Sequence, residues 1–184
     1  MSGQTQTQTE TVRFPIYVSG KVVKGFGRGS SELGIPTANI EAEVIKSIPL
    51  STGIYFGWSQ LSTTEDDFKQ LSKDQQDYLK SILVKHDSKM FSPVYMMSAS
   101  LGYNPFYENE EKALEIHLLN KFNCDFYGLT INSLICGKIR EEANFISLEA
   151  LIKAIHNDIE ETRRQLEIDT WHSFKKDDRY FVNL

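Results

Sequence analysis

Apolar and polar residues alternate along much of the chain with the period of two that marks half-buried strands. Residues 14–23 form the first such run, with Ile16, Val18, Val22 and Val23 as its apolar content. Residues 37–40 predict a short extended piece, and residues 41–50, a polar and apolar mixture ending beyond Pro49, predict irregular structure. Residues 53–61, Gly-Ile-Tyr-Phe-Gly-Trp-Ser-Gln-Leu, predict an aromatic-rich strand. Another is predicted over 93–102, and Asn104-Pro105 then breaks it into a turn. Two more follow over 113–120 and 128–140, the second with Leu129, Ile131, Leu134 and Ile139 around Gly137. The period changes after Ser147, a candidate N-cap, to that of a helix reaching about Leu166. Its apolar stripe is Leu148, Leu151, Ile152, Ile155 and Ile159, with Glu149, Lys153, Asp158, Glu160 and Arg163 on the other side. Trp171, Phe174, Tyr180 and Phe181 are expected to fold back onto the barrel.

Five or six strands joined by tight turns predict a mainly β fold, a small antiparallel barrel that closes to remove its edges. Residues 62–89 interrupt this pattern. Phe68, Leu71, Tyr78, Leu79, Ile82 and Leu83 recur there at helical spacing in a charged background. The segment reads as a partly helical, partly mobile insertion between strands, expected to carry none of the chemistry and to be dispensable.

A chain of 184 residues suits one domain, assigned to 13–184 after a short mobile tail over 1–12. The first residues show neither a secretory signal nor the arginines of a transit peptide. A net charge of −5 argues against a nucleic-acid binder. Two cysteines, Cys124 and Cys136, make a weak case for a disulfide framework or a zinc site and read as reduced thiols of an intracellular protein. No apolar run approaches a membrane-spanning length.

The candidate chemistry lies in residues 20–39, Gly-Lys-Val-Val-Lys-Gly-Phe-Gly-Arg-Gly-Ser-Ser-Glu-Leu-Gly-Ile-Pro-Thr-Ala-Asn, which hold five of the 11 glycines. Composition alone favours a glycine-rich hairpin turn. The functional reading is a phosphate-cradling loop, although neither a Walker-type loop nor a dinucleotide-binding or protein-kinase pattern is present. Thr37 and Asn39 are two apart, so in an extended segment both face one way and make a pair of hard-oxygen ligands suited to Mg²⁺. Over residues 113–119, alternation puts Leu114, Ile116 and Leu118 on one face and Glu115 and His117 on the other. Such a pair is ordinarily solvent-facing.

The glycine loop running into Pro36-Thr37-Ala38-Asn39 closely resembles the ATP-binding signature of riboflavin kinases. So do Glu115-x-His117 followed by Asp125-Phe126-Tyr127-Gly128, and Arg140 followed by Phe145 and Ser147-Leu148-Glu149. The resemblance spans about 18–166, the insertion excepted. It implies a six-stranded closed antiparallel barrel with a C-terminal flanking helix, and phosphorylation of riboflavin by ATP to FMN and ADP. It implies Glu115 as catalytic base; Asp125, Glu141 and Glu142 are rivals. It implies Gly25, Gly27, Gly29, Ser31, Thr37, Asn39, Leu118, Asn120 and Tyr127 around ATP. Thr37 and Asn39 also hold the metal, Mg²⁺ or another divalent ion such as Zn²⁺ or Mn²⁺. It implies Arg140, Phe145, Ser147 and Leu148 around the flavin, and gives His117 no role beyond structure. Ser31 stands where animal members carry a lysine; Arg28, Lys24 or backbone amides are expected to compensate. With no room for an adenylyltransferase domain, the chain is expected to stop at FMN. It is expected to act as a monomer in the cytoplasm, with mitochondrial placement and membrane attachment left open. Competing readings are a noncatalytic FMN-binding barrel and a nucleic-acid-binding barrel.

Overall fold

A sheet with one apolar face must find a cover or close on itself. In the computed structural model, which describes residues 13–25, 34–103 and 112–184, the sheet closes. Its strands are β1 (Ile16–Val23), β2 (Ala38–Ile40), β3 (Gly53–Thr64), β4 (Val84–His86), β5 (Lys89–Tyr103), β6 (Lys112–Leu118) and β7 (Thr130–Arg140). They run in the order β3-β7-β1-β2-β6-β5, and β5 pairs back with β3 to complete an antiparallel ring of six. Among the described residues β4 pairs only with β5, and it lies outside the ring as a seventh strand. The interior is filled by alternate residues of every ring strand, among them Val18, Ile40, Leu61, Leu101, Ile116 and Ile131.

β3 and β7 are buried on both faces. On their outer side, Phe56, Trp58, Leu134 and Cys136 form a second apolar layer with Leu166 and Phe181, against which Trp171, Phe174 and Tyr180 also pack. The tail folds back as its aromatics predict. Two hydrogen-bonded anchors hold it: Trp58 Nε1 donates to the Trp171 carbonyl at 2.8 Å, and Gln60 clamps Val182 through both halves of its carboxamide, at 2.8 and 3.0 Å. A buried Gln is tolerated here because its polar atoms are paired.

Two segments differ from the expected pattern. Residues 41–50 include a one-turn helix, α1 (Ala42–Lys46), and bury Ile45, Ile48 and Leu50. A helix of five residues has no stability of its own; those three apolar contacts hold it. In the stretch 62–89, β3 continues through Thr64, which pairs with Lys89 at the start of β5. Between them lie α2 (Glu65–Lys69), α3 (Lys73–Leu79) and β4. Phe68, Leu79 and Leu83 are buried in the main core, so these apolar positions extend that core.

α4 (Leu148–Leu166) starts at Ser147, whose hydroxyl accepts the Ala150 N–H at 3.2 Å. Its inward seam is rotated from the apolar stripe. Asp158, Thr162 and Leu166 are buried, Leu151 and Ile155 are half-buried, and Leu148 is 54% exposed. Asp158, assigned by pattern to the outer side, is 7% exposed and receives Arg140 Nε and Nη2 at 2.8 and 2.7 Å. A hydropathy stripe does not register a carboxylate drawn inward by a guanidinium from another element. α5 (Asp169–Ser173) follows and leads into the tail.

Removing one partner of a buried ion pair leaves the other unpaired. Asp158→Ala is therefore expected to lower unfolding free energy by about 3 kcal/mol, the low end of that range because Arg140 keeps some solvent. Adding Arg140→Met to an Asp158→Leu background is expected to recover much of the loss in urea unfolding. An Asp158→Ala protein as stable as the parent contradicts this account.

Candidate active site

Alternation on β6 sends Leu114, Ile116 and Leu118 into the barrel and leaves Glu115 and His117 on its outer face. On β2, Ala38 and Ile40 point inward, and Asn39 lies opposite Glu115 in register. Thr37 immediately precedes this strand, and its hydroxyl donates to Glu115 Oε2 at 3.1 Å. His117 Nδ1 lies 2.8 Å from the Pro36 carbonyl, so that nitrogen carries the proton and donates. Burial pushes the His117 pKa below its ordinary 6.5 and the Arg163 charge adds to this, while the Pro36 bond works the other way. The imidazole is therefore neutral at pH 7. Two outward side chains of β6 thus hold Pro36 and Thr37.

Gly25 lies against the Asn39 carboxamide so closely that a Cβ there would collide with it. Three of the implied ATP-side residues are thereby gathered: Thr37 and Asn39 beside Glu115, and Gly25 against Asn39. Gly27, Gly29 and Ser31, with Arg28, lie outside the described residues. Lys24 is exposed at the end of β1.

Two clefts meet at Thr37. One, of about 410 Å³, is lined by Thr37, Leu118 and Asn120, and by Phe122 to Tyr127 of the loop after β6. That loop ends in the 125–128 turn, where Gly128 has φ +85°, a left-handed conformation that favours glycine. The Gly128 N–H donates to the Val22 carbonyl at 2.9 Å, which ties the turn to β1. The other cleft, of about 300 Å³, lies between the barrel and α4. Ser98 and Ser100 of β5 form its floor with Glu115 and His117, their cross-strand partners. Phe145, Leu151 and Ile155 supply apolar wall and Arg140 a polar one.

Of the four residues implied for the flavin, the structure brings Arg140 and Phe145 to this second cleft. The Arg140 guanidinium lies 5.6 Å from the Phe145 ring centroid and is held from behind by Asp158, while Nη1 donates to the Glu141 carbonyl at 3.0 Å. Ser147 caps α4, Leu148 is exposed beside it, and neither is among the residues that line the cleft. Among the rivals to Glu115, Asp125 belongs to the first cleft, Glu141 pairs with Lys138 at 2.7 Å, and Glu142 lies over Gly102 at the second cleft. Sequence reasoning missed Asp158, Ser98 and Ser100. The two serines carry a legible signal, since they share one face of an alternating strand; Asp158 carries none.

Among the described residues, no group of three or more His, Cys, Asp or Glu side chains is arranged to hold a metal. Thr37 and Asn39 suit a different kind of site, in which a hard cation takes two neutral oxygens from the protein and the rest from water and phosphate. The Thr37 hydroxyl donates to Glu115, which fixes the side of the strand on which its oxygen lies.

Comparisons with known proteins bear on the family and the fold. The family model for flavokinase, riboflavin kinase, matches residues 12–166. The riboflavin kinase of Mus musculus is 40% identical over 169 residues, covering 91% of this chain and 90% of that protein. That of Homo sapiens is 39% identical over 171 residues, with 92% of each chain covered. The crystal structure of riboflavin kinase from Trypanosoma brucei superimposes with a TM-score of 0.63 at 26% identity, over 90% of this chain and 88% of that one. With a family model matched over most of its length, full-length relatives near 40% identity and the same barrel, the chain belongs to the riboflavin kinase family.

Proposed function

We propose that the chain transfers the γ-phosphoryl group of ATP to the terminal ribityl hydroxyl of riboflavin, giving FMN and ADP. The observation that carries this reading is the Thr37–Glu115 contact at the junction of two clefts. A bisubstrate transfer needs two pockets whose reacting ends meet, with a proton acceptor at the meeting point. The alternative of a noncatalytic FMN-binding barrel leaves the cleft on the other side of Thr37 without a use. A nucleic-acid-binding barrel fits poorly with a net charge of −5.

In this reading the nucleotide lies along Leu118, Asn120 and Tyr127, and the isoalloxazine ring lies against Phe145, Leu151 and Ile155. Arg140, its guanidinium oriented by Asp158, faces a polar edge of the flavin. Ser147 contributes through the cap of α4, and Leu148 only at the rim. Glu115 holds the ribityl hydroxyl toward the γ-phosphorus. As the new O–P bond forms and the bond to the bridging oxygen breaks, the hydroxyl proton passes to the Glu115 carboxylate. Neutral His117 puts no positive charge beside that carboxylate and keeps the Pro36 carbonyl in place. Thr37 and Asn39 would hold a divalent ion, Mg²⁺ or else Zn²⁺ or Mn²⁺. When bound, such an ion supplies neutralisation of phosphate charge.

The same reading takes the protein as a monomer of the cytoplasm. Cys124 and Cys136 are both free thiols. No helix among the described residues is long and apolar enough to cross a membrane.

Glu115→Gln is expected to lower single-turnover phosphorylation by roughly two to four powers of ten while riboflavin affinity is largely kept. Unchanged turnover in that variant, with a large loss in Asp125→Asn, moves the base to Asp125. At the metal corner, Thr37→Ala and Asn39→Ala are each expected to lose most activity in a folded protein. Gly25→Ala, whose new Cβ displaces the Asn39 carboxamide, is expected to raise the Mg²⁺ concentration needed for half-maximal rate with little change in melting temperature. Near-normal turnover of the Thr37 and Asn39 variants at limiting Mg²⁺ removes them from the metal site.

A further inference from the structure

The loop after β6 forms one wall of the cleft assigned to the nucleotide, yet residues 119–127 belong to no strand or helix. Its backbone is tied to its surroundings at three places. At its start, the Leu119 N–H donates to the Met96 carbonyl at 2.8 Å, and at its end the Gly128 N–H donates to Val22. Midway, the Asp125 carbonyl accepts a hydrogen bond of 2.9 Å from Gln75 Nε2 on α3. Gln75 lies in the segment between β3 and β5 that the sequence marks as an insertion without chemistry.

The orientation of Gln75 is dictated from both ends. It is the N3 residue of a capping box: Ser72 Oγ accepts the Gln75 N–H at 3.3 Å, and Gln75 Oε1 accepts the Ser72 N–H at 3.1 Å. With the side-chain oxygen committed to Ser72, the nitrogen is the end that reaches the Asp125 carbonyl. α3 is itself anchored, because Leu79 and Leu83 are buried in the barrel core. Tyr78 of α3 packs against the main core, as do Tyr95, Phe122 and Phe126, with ring centroids 5.4 Å apart for Tyr95 and Phe122 and 5.1 Å for Phe122 and Phe126.

We propose that the 65–86 segment braces the nucleotide wall, with Gln75 as a positioning residue that holds the loop in its binding shape through the Asp125 carbonyl. The inference rests on the assignment of this cleft to ATP. A wall ordered beforehand spares the nucleotide the entropy of ordering it on binding. The expected signature is weaker nucleotide affinity, with riboflavin affinity and the transfer step untouched. One hydrogen bond of ordinary strength corresponds to a change of about fivefold.

The test uses Gln75→Glu and Ser72→Ala in the full chain. Gln75→Glu keeps an acceptor for the Ser72 N–H, and so keeps the cap, but presents an oxygen to the Asp125 carbonyl where the donor stood. Ser72→Ala weakens the cap and leaves Gln75 in place. Gln75→Glu is expected to raise both the KM for ATP and the calorimetric Kd for ADP by about fivefold, with kcat and the riboflavin KM unchanged. Ser72→Ala is expected to lower the melting temperature and leave both nucleotide constants at the parent value. Parent-like nucleotide constants in Gln75→Glu overturn the proposal. So does an equal rise in Ser72→Ala, which reports general loosening of α3, or a parallel rise in the riboflavin KM. A parent protein that binds ADP but does not phosphorylate riboflavin overturns the functional reading alone, and the ADP constants still decide the role of Gln75. A parent that binds no ADP overturns both.

Discussion

β2 is three residues long, yet it pairs with β1 through Val22↔Ile40 and Val23↔Asn39 and with β6 through Ala38↔Ile116 and Asn39↔Glu115. The ring of six strands closes through that short element, and so does the site. Side chains alternate with a period of two, so a slip of one residue would put Asn39 in the core and Ala38 at the surface. Ala38 and Ile40, both buried, make that slip costly. With that register, Thr37 leaves the strand on the face that carries Glu115 and His117, where its hydroxyl reaches Glu115 and the Pro36 carbonyl meets His117. The chemistry is thus positioned by the same contacts that close the barrel. Rigid strands are well suited to this, because a transfer between two substrates depends on placement to a fraction of an ångström.

A second constraint comes from α4. The barrel needs a cover over β3, β5 and β7, and α4 supplies it, but an entirely apolar seam would give the cleft beneath no polar feature on its α4 side. The Arg140–Asp158 pair provides one. Both groups have hydrogen-bonding partners, which offsets much of the cost of taking the charges from water. The pair also fixes where the guanidinium lies relative to Phe145. The contact that packs α4 on the barrel thereby also orients Arg140 in the cleft.

The two clefts are built by different means. The cleft proposed for the flavin is framed by strands and a long helix, so its geometry follows from the main core. The cleft proposed for the nucleotide has a wall of irregular backbone, pinned at its ends and supported in the middle by α3. Local order there depends on a few hydrogen bonds and on aromatic contacts among Tyr95, Phe122 and Phe126. Segments with so few ties open most easily, and a helix packed on the core is a sound place from which to hold one.

Much of this was legible in the order of residues. The alternation of Leu114, Glu115, Ile116, His117 and Leu118 determined which side chains enter the barrel, because strand geometry leaves only two faces. Ser147 determined where α4 begins, because a side-chain oxygen at that position satisfies an otherwise unpaired N–H. The glycine-rich run into Pro36-Thr37-Ala38-Asn39, by resemblance, pointed to the family to which the chain belongs. Other features arise only from contacts between residues distant in sequence. Asp158 read as a surface residue until Arg140, 18 positions away, drew it inward. α1 had too few residues to announce itself as a helix, and nothing local in the partly helical insertion told that Phe68, Leu79 and Leu83 enter the main core. Local pattern records what a residue prefers against water and its near neighbours. Which partner it meets across the fold depends on closure of the barrel, and that is a property of the whole chain.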